Sequence, residues 1–247
     1  MSAEGRRGVV TGAASGIGRA TALRLLREGV DVVAVDVDER GLADVAAAGA
    51  RALVADLGTE EGCDAVVEAG AGGDYLVNAA GIIRLQPLFE VTRQDWRDQF
   101  RVNAESTFFL CQQLGPRLRD DGAIVNLSSV SAKLTSTPET AAYAATKTAI
   151  LAVTRSFAYA LAGRGIRVNA VCPGITDTPM QETVLRELAR LRGTPYEEIS
   201  RARNDTVPMR RACTPDEVAG VIWQLLGDDA SYVTGEALNF SGGLAMW

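Results

Sequence analysis

Two side chains one helical turn apart could carry acid–base chemistry in this sequence. Tyr143 and Lys147 lie four positions apart in the stretch AAYAATKTAI, and on a helix they would share one face. The chain has no histidine, and only two of its 25 basic residues, Lys133 and Lys147, are lysine. Because histidine-dependent triads are therefore excluded, proton transfer near neutral pH would have to use Tyr, Lys, Asp, Glu or Cys.

The chemistry that suits such a pair is proton transfer during the interconversion of an alcohol and a ketone. A tyrosine hydroxyl has an unperturbed pKa of about 10, and lowering it to about 7 requires roughly 4 kcal/mol in favour of the phenolate. A unit positive charge about 4 Å away contributes about that much at an effective dielectric constant of about 20. We therefore expect Lys147 to lower the pKa of Tyr143. A chance pairing of two residues on a helix is the alternative.

A glycine-rich stretch, VVTGAASGIGRA, predicts a dinucleotide-binding turn between a strand and a helix. Gly12, Gly16 and Gly18 would let the backbone approach a pyrophosphate at the helix N-terminus, although a ligand-free glycine turn is the alternative. Asp36 ends the next strand, where an acid accepts hydrogen bonds from ribose and repels a 2′-phosphate. Ser15, before the second glycine, offers no positive charge to that phosphate. Both features favour NAD over NADP.

Composition limits the possible partners. The net charge of −6 argues against a nucleic acid or an anionic membrane as a partner, and no apolar stretch approaches the roughly 18 residues of a membrane span. The first apolar segment comes too early for a signal peptide, and the four cysteines form no CxxC pair. We therefore expect a cytoplasmic protein with reduced cysteines, without a metal site and with a small-molecule substrate.

Short apolar runs alternate with helical patterns along the whole chain. Strands are predicted at 8–10, 31–36, 52–56, 75–79, 123–128, 166–172 and 236–241, and helices at 16–28, 39–48, 60–69, 95–118, 141–163 and 215–227. This alternation predicts an α/β fold, a doubly wound parallel sheet of about seven strands flanked by helices on both faces. We expect one domain over 1–247, in which the segment at about 178–210, helical at 182–191, forms a lid over the ligand site.

The chain resembles the classical short-chain dehydrogenase/reductase family along essentially its whole length. The motifs that carry the resemblance occur in the family's order: TGAASGIG at 11–18, Asp56, NAAG at 78–81, Asn103 in RVNAES, NLSSVS at 126–131, YAATK at 143–147, PGITDT at 173–178 and YVTGEALNFSGG at 232–243. The resemblance implies a Rossmann-like fold and hydride transfer between a nicotinamide cofactor and a CH–OH group. The NAAG motif departs from the family's N-N-A-G, because Ala79 replaces the second asparagine.

The resemblance also implies roles for individual residues. Its catalytic tetrad falls on Asn103, Ser129, Tyr143 and Lys147, with Ser129 holding the substrate oxygen and Asn103 holding a water beside Lys147. Ser128 is the alternative serine, and a helix-capping or packing role is the alternative for Asn103. The cofactor-binding set implied by the family is Gly12, Ser15, Gly16, Ile17, Gly18, Asp36, Asp56, Leu57, Asn78, Ala79, Gly81, Tyr143, Lys147, Pro173, Gly174, Ile175 and Thr178. For Asp56 and Thr178, a plain turn role is the alternative.

Substrate and assembly are less sharply defined by the sequence. The chain is similar to family members acting on polyols, diols and acetoin-type ketols, so the expected substrate is a secondary alcohol or ketone of this kind. Arg186 or Arg190 in the lid would instead favour an acidic sugar derivative, and we expect Lys133 to be a solvated loop charge. A 3-oxoacyl-thioester reductase and a non-catalytic NAD(P)-sensing regulator are the alternative functions. The family resemblance implies a homotetramer, with a dimer as the other possibility.

Overall fold

One parallel sheet forms the centre of the molecule. The computed structural model describes residues 3–134 and 137–246. Its seven strands pair in the order β3-β2-β1-β4-β5-β6-β7, and every pairing is parallel. The strands are β1 Arg7–Thr11, β2 Asp31–Asp36, β3 Arg51–Val54, β4 Tyr75–Asn78, β5 Ala123–Leu127, β6 Arg167–Pro173 and β7 Ala237–Phe240. The predicted doubly wound fold is confirmed.

Helices cover both faces of this sheet. They are α1 Gly16–Arg27, α2 Glu39–Ala47, α3 Glu60–Gly70, α4 Arg93–Phe100, α5 Ser106–Leu114, α6 Ala141–Leu161, α7 Pro179–Arg192, α8 Tyr196–Asp205 and α9 Pro215–Leu226. Apolar side chains of α1, α2 and α9 pack in one core layer, and those of α3, α5 and α6 pack in another. The five inner strands are buried on both faces because each layer covers one face of the sheet, whereas the edge strands β3 and β7 are more exposed.

The predicted helix at 95–118 is interrupted in the structure. A π-helical turn, Arg101–Glu105, separates α4 from α5, and a 3₁₀ turn follows at Gly115–Arg117. The Thr107 hydroxyl donates to the Asn103 carbonyl at 2.8 Å inside this region. π-helical turns often accompany functional positions because they aim side chains away from the regular helical spacing. The interruption therefore sets the direction of the Asn103 side chain.

The predicted lid contains two helices. The helical piece expected at 182–191 is α7, which is capped by the Thr178 hydroxyl accepting from the Gln181 amide at 3.2 Å. The polar stretch after it forms α8, which was not predicted as a helix. Buried apolar side chains hold the two helices to the segment around Leu85; they are Leu85, Val184, Leu185, Leu188 and Ile199. The lid therefore has a small core of its own.

The described part of the chain has neither a membrane-spanning helix nor a metal-binding cluster. No helix there is long and apolar enough to cross a membrane. Within residues 3–134 and 137–246, no group of three or more Cys, Asp or Glu side chains is arranged to hold a metal ion. The four cysteines are free thiols, and three of them are buried.

Candidate active site

The carboxyl ends of the strands open into a cleft of about 800 Å³. In doubly wound sheets this edge is where ligands bind, because the loops from successive strands converge there. The predicted site residues that line the cleft are Gly12, Ser15, Gly16, Ile17, Gly18, Asp36, Asp56, Leu57, Ala79, Gly81, Ser129, Tyr143, Lys147, Pro173, Gly174, Ile175 and Thr178. The structure thus brings together residues that are scattered over 167 positions of sequence, from 12 to 178.

The glycine turn between β1 and α1 forms one wall of the cleft. Gly12 and Gly16 have φ values of 68° and 52°, and a Cβ on Gly12 would stand 2.8 Å from the Ala80 backbone. The N-cap residue of α1, Ser15, makes no side-chain capping bond, so the first amides of the helix have no side-chain acceptor at its N-terminus. Free amides and a positive helix end suit a pyrophosphate. The turn therefore fits a dinucleotide cofactor.

Gly18 is the position of closest backbone contact in this turn. A Cβ on Gly18 would lie 2.0 Å from the Gly12 carbonyl oxygen, whereas a Cβ on Gly220 in α9 would meet nothing within 4 Å. We expect Gly18→Ala to destabilise the protein by about 3 kcal/mol or more, because backbone rather than a flexible side chain must move. The matched change Gly220→Ala should stabilise it by about 0.5–1 kcal/mol. Urea unfolding of both variants measures this, and a Gly18→Ala protein as stable as the parent would contradict the packing.

Asp36 is fixed at the end of β2 by two backbone amides. One carboxylate oxygen accepts from the Ala14 amide at 3.0 Å, and the other accepts from the Asp38 amide at 3.1 Å. These bonds hold Asp36 against the glycine turn and leave lone pairs on both oxygens. The neighbouring Val37 is 60% exposed and lines the cleft. This end of the cleft therefore offers negative charge and apolar surface, and its lining has no basic side chain beside Asp36.

Tyr143 and Lys147 lie on the cleft side of α6, with Ser129 beyond the end of β5. Ser129 lies close enough to the Tyr143 hydroxyl to lower its pKa, and the Ser129 hydroxyl accepts from the Ser131 amide at 3.1 Å. The Ser128 hydroxyl donates instead to the Lys147 carbonyl at 2.8 Å, so it joins β5 to the α6 backbone. The contact with Tyr143 favours Ser129 over Ser128 as the serine that would meet a substrate.

Lys147 is buried, and its ammonium group is held by backbone. Its Nζ donates to the Leu127 carbonyl at 2.8 Å and lies 5.6 Å from the centre of the Tyr143 ring. Burial lowers the pKa of Lys147 from 10.5 to about 8, and Cys172 opposes that shift. At pH 7 the side chain therefore keeps its charge, since this pKa still lies above 7.

The expectation that Lys147 lowers the pKa of Tyr143 was wrong. Burial raises the pKa of Tyr143 from 10 to about 12, and the nearby Ser129 hydroxyl only partly offsets the burial. The ammonium group contacts the ring face and the Leu127 carbonyl rather than pairing with the phenol oxygen. Tyr143 is therefore a neutral phenol at pH 7, which is the form that can donate a proton.

This protonation state predicts how the two directions of reaction depend on pH. Ketone reduction should hold its rate from about pH 6 to about pH 7, because Tyr143 keeps its proton and Lys147 keeps its charge throughout that range. Alcohol oxidation needs the phenolate, and its rate should rise as the pH is raised from about 7 to about 10, because a raised pKa leaves little phenolate at low pH. Initial rates at saturating cofactor measure both. An oxidation rate that falls with rising pH would contradict the assignment.

Two predicted asparagines do not line the cleft. Asn78 donates to Asn126 Oδ1 at 2.8 Å behind the sheet edge, so the structure does not bring its side chain to the cofactor region. Asn103 is fully buried; its amide accepts from the Ile82 amide at 2.8 Å and donates to the Ile82 carbonyl at 2.9 Å and to Thr146 at 3.0 Å. The side chain of Asn103 therefore fixes backbone beside the site rather than facing solvent.

Gly81 connects Asn103 to the reacting groups. A Cβ on Gly81 would lie 3.3 Å from Asn103 Oδ1 and 3.5 Å from Lys147 Nζ. Only a residue without a side chain leaves the space between this amide and the ammonium group open. Thr11 holds the same segment from the other side, because its hydroxyl accepts from the amides of Ala79 and Ala80 at 3.0 and 3.1 Å.

Lys133 is not a solvated charge, contrary to the sequence expectation. Its ammonium group donates to the Ala237 carbonyl at 2.9 Å and to Asn239 Oδ1 at 2.7 Å. The residue therefore ties the 3₁₀ turn that follows Ser129, Val130–Ala132, to the edge strand β7. Both lysines of the chain consequently bind backbone carbonyls near Ser129, one on each side of it.

The arginines predicted to select substrate also lie elsewhere. Arg186 pairs with Glu182 and Arg190 pairs with Glu187 on the exposed side of α7, and neither lines the cleft. The cleft is lined instead by Arg192, which binds both carboxylate oxygens of Glu139 at 2.8 Å, and by Arg203. Arg203 was missed because α8 was not recognised as a helix. Arg203 lies four positions after Ile199, so on a helix the two residues share a face, and this spacing was the signal in the sequence that could have identified Arg203.

Comparison with known proteins finds relatives that match along nearly the whole chain. A family model described as Enoyl-(Acyl carrier protein) reductase matches residues 12–245. The chain is 37% identical over 259 residues to a 3-oxoacyl-(acyl-carrier-protein) reductase, FabG, of Thermotoga maritima, covering 100% of both chains. It is 35% identical over 254 residues to a galactitol 2-dehydrogenase (L-tagatose-forming) of Cereibacter sphaeroides, covering 99% of this chain and 96% of the other.

A solved structure shows the same architecture. The crystal structure of a short chain dehydrogenase family protein from Francisella tularensis superposes with a TM-score of 0.89 at 26% sequence identity. The match covers 97% of this chain and 98% of that one. Sequence and structure comparisons therefore both match nearly the whole length of the chain.

Proposed function

The chain belongs to the short-chain dehydrogenase/reductase family, and we propose that it is an NAD-dependent oxidoreductase that interconverts a secondary alcohol and a ketone on a polyol, diol or sugar-derived substrate. The observation that carries the proposal is the contact of Ser129 with Tyr143 on the wall of the same cleft as the glycine turn and Asp36. Members of the family bind NAD or NADP. When bound, the nicotinamide supplies or accepts the hydride.

Tyr143 is the proposed acid–base group. As a neutral phenol at pH 7 it holds the proton that a ketone oxygen takes up on reduction. Ser129, close to that phenol, would orient the same oxygen. Lys147 has three N–H donors, of which one is used by the Leu127 carbonyl, so the others would reach the ribose hydroxyls of the nicotinamide half of the cofactor. Asn103 acts as a positioning residue, because its amide holds the Ile82 backbone beside Lys147.

NAD is the proposed cofactor. The uncapped N-terminus of α1 and the close backbone contacts at Gly12 and Gly18 suit its pyrophosphate. The carboxylate of Asp36 suits the 2′- and 3′-hydroxyls of an adenosine ribose and repels a 2′-phosphate. Pro173, Gly174 and Ile175 line the nicotinamide side in this proposal, and the methyl of Thr178 packs 3.2 Å from where a Gly16 Cβ would lie. The lid helices α7 and α8 would close this half of the cleft.

A 3-oxoacyl-thioester reductase is the second candidate. The 37% identity to the Thermotoga maritima reductase over the whole chain favours it. Asp36 counts against it, because reductive biosynthesis usually draws on NADPH and the cleft lining offers no cation for a 2′-phosphate at that end. A regulator that only senses the cofactor is disfavoured, since Ser129, Tyr143 and Lys147 are all present in the cleft.

A substrate screen separates these candidates. The purified protein is mixed with NAD or NADP and a panel of alditols, vicinal diols, aldoses and 3-hydroxyacyl thioesters, and the absorbance of the reduced cofactor is followed at about pH 9, where oxidation is favoured. The proposal expects NAD reduction with an alditol, diol or sugar. Preference for NADP together with a thioester would support the second candidate instead. Cofactor binding without reduction of either nucleotide by any alcohol would support the regulator.

The homotetramer and the cytoplasmic location stay predictions. Helices α4, α5 and α6 leave aromatic surface exposed at Trp96, Phe108, Phe109 and Tyr159, which is the kind of surface that a second copy of the chain would cover. Sedimentation velocity measures the assembly, and a stable monomer would contradict it. Four free thiols are compatible with a reducing compartment.

A further inference from the structure

One charged group in the lid has no partner within the protein. Arg203 lies in α8, lines the cleft and is partly buried, and its Nε is enclosed without a hydrogen-bond partner. It forms no ion pair with any residue of the described part of the chain. Enclosing one N–H of a guanidinium without an acceptor is costly, because the protein does not replace the hydrogen bond that water would make there. An unpaired enclosed donor in a folded protein calls for an explanation, and a ligand that accepts from it is one such explanation.

The surroundings of Arg203 place it at the substrate end of the cleft. Ile199, one helical turn earlier, packs in the lid core with Leu188, so the shared face of α8 is turned toward α7 and the cleft. Burial lowers the pKa of Arg203, and the nearby charge of Arg192 lowers it further. Arg192 in turn binds Glu139, four residues before Tyr143. Arg203 therefore lies near Arg192, which is bonded to the turn that leads into α6 and Tyr143.

Charge divides the cleft into two halves. Its acidic lining residues are Asp36 and Asp56, which follow β2 and β3 at the cofactor end. Its basic lining residues, apart from Lys147, are Arg192 and Arg203 in the lid. Glu139 neutralises Arg192 through two hydrogen bonds, so the net positive charge of the lid half resides on Arg203. Such a field attracts an anion to the region beside Tyr143.

We propose that Arg203 binds an oxyanion group carried by the substrate, a carboxylate or a phosphate, next to the alcohol that reacts at Tyr143. The substrate is then an acidic hydroxy compound, such as a sugar acid, rather than a neutral polyol. A planar guanidinium presents paired N–H donors that match the oxygens of either group. This inference rests on the proposed oxidoreductase function and names the substrate class of the same cleft.

The test compares matched substrates in matched variants. Alditols of four to six carbons, the corresponding aldonic acids and the corresponding terminal phosphate esters are assayed with NAD against the parent protein, Arg203→Met, Arg203→Lys and Arg201→Met. Arg201 is exposed on the same helix and does not line the cleft, so its variant controls for changes to α8. The side chain of Met keeps the apolar stem and removes the charge.

We expect the parent to prefer an acidic substrate over its alditol. Arg203→Met should lower kcat/KM for the acid by about 30-fold or more, because the anion loses its charge partner. The same variant should change kcat/KM for the alditol by less than about threefold. Arg203→Lys should recover part of the loss, and Arg201→Met should leave both unchanged. Preference for the acid or for the phosphate ester identifies the oxyanion. Equal loss on neutral and anionic substrates, or no preference for an anion, would overturn the proposal.

A binding measurement keeps this inference separate from the proposed function. The midpoint of thermal unfolding is measured with NADH present and with each aldonate or phosphate ester added at rising concentration. Stabilisation of the parent but not of Arg203→Met supports the oxyanion site even if no substrate in the panel is oxidised. Absence of stabilisation by any of these anions, with neutral alditols oxidised normally, overturns the oxyanion site and leaves the proposed function intact.

Discussion

Replacing Tyr143 with phenylalanine should lower kcat by about 10²- to 10⁴-fold, which is the contribution typical of one general acid–base group. The phenol is the proton source for the ketone oxygen, and the rest of the cleft has no histidine to replace it. The dissociation constant for NADH should change by less than about threefold, because the glycine turn and Asp36 hold the cofactor's other half. Steady-state rates and fluorescence titration with NADH measure the two quantities.

The control for this variant lies on the same helix. Tyr159 is also in α6 but is 91% exposed and does not line the cleft, so Tyr159→Phe should leave kcat and NADH affinity unchanged. Unfolding curves of the two variants check that both are folded. If Tyr143→Phe turned over at nearly the parent rate while binding NADH, another group would be the proton donor and the assignment would be wrong.

The second large effect concerns the choice of cofactor. Asp36→Asn should lower the ratio of kcat/KM with NADH to kcat/KM with NADPH by about 100-fold, because a carboxylate a few ångströms from a 2′-phosphate costs up to about 3–4 kcal/mol. The amide also has one oxygen instead of two, so it can no longer accept from both Ala14 and Asp38. NADH affinity should therefore fall as NADPH affinity rises.

Asp38→Asn is the matched control for Asp36. Asp38 caps α2 by accepting from the Arg40 amide and is exposed outside the cleft lining, so its substitution changes the same charge nearby without touching the ribose region. The cofactor ratio should move by less than about threefold in this variant. A parent protein that already prefers NADPH, or an unchanged ratio in Asp36→Asn, would show that Asp36 does not select the cofactor.

The fold was predictable because its strands are short, continuous apolar runs that only a sheet covered on both faces accommodates. Runs such as DVVAVD appear in the structure with the predicted bounds, Asp31–Asp36. The one continuous sheet supports the predicted single domain. Helix α8 was not predictable in this way, since its sequence YEEISRARND is polar and its N-cap, Pro195, provides no side-chain capping bond. Its stability depends on packing of Ile199 against α7, which is a tertiary effect.

The site was predictable where spacing defines geometry and unpredictable where contacts decide it. Tyr143 and Lys147 share a face of their helix whatever the fold around it. The glycine turn needs positive φ values at Gly12 and Gly16, and glycine in the sequence indicates such positions. The pKa of Tyr143 could not be predicted from the sequence, because the sequence does not show how deeply the phenol is buried. Its burial raises the pKa despite the nearby lysine. Asn78 and Lys133 were misread for the same reason: their partners come from Asn126 and β7, distant in sequence.

Transfer of deuterium from labelled cofactor tests the central claim most directly. NADH carrying deuterium at both C4 positions of the nicotinamide is mixed with the ketone form of the substrate found by screening, and the product is analysed by mass spectrometry and NMR. One deuterium on the carbinol carbon, formed by the parent protein but not by Tyr143→Phe, is the predicted result. An alcohol without deuterium, or bound NADH that is never consumed by any ketone in the panel, would contradict hydride transfer at this site.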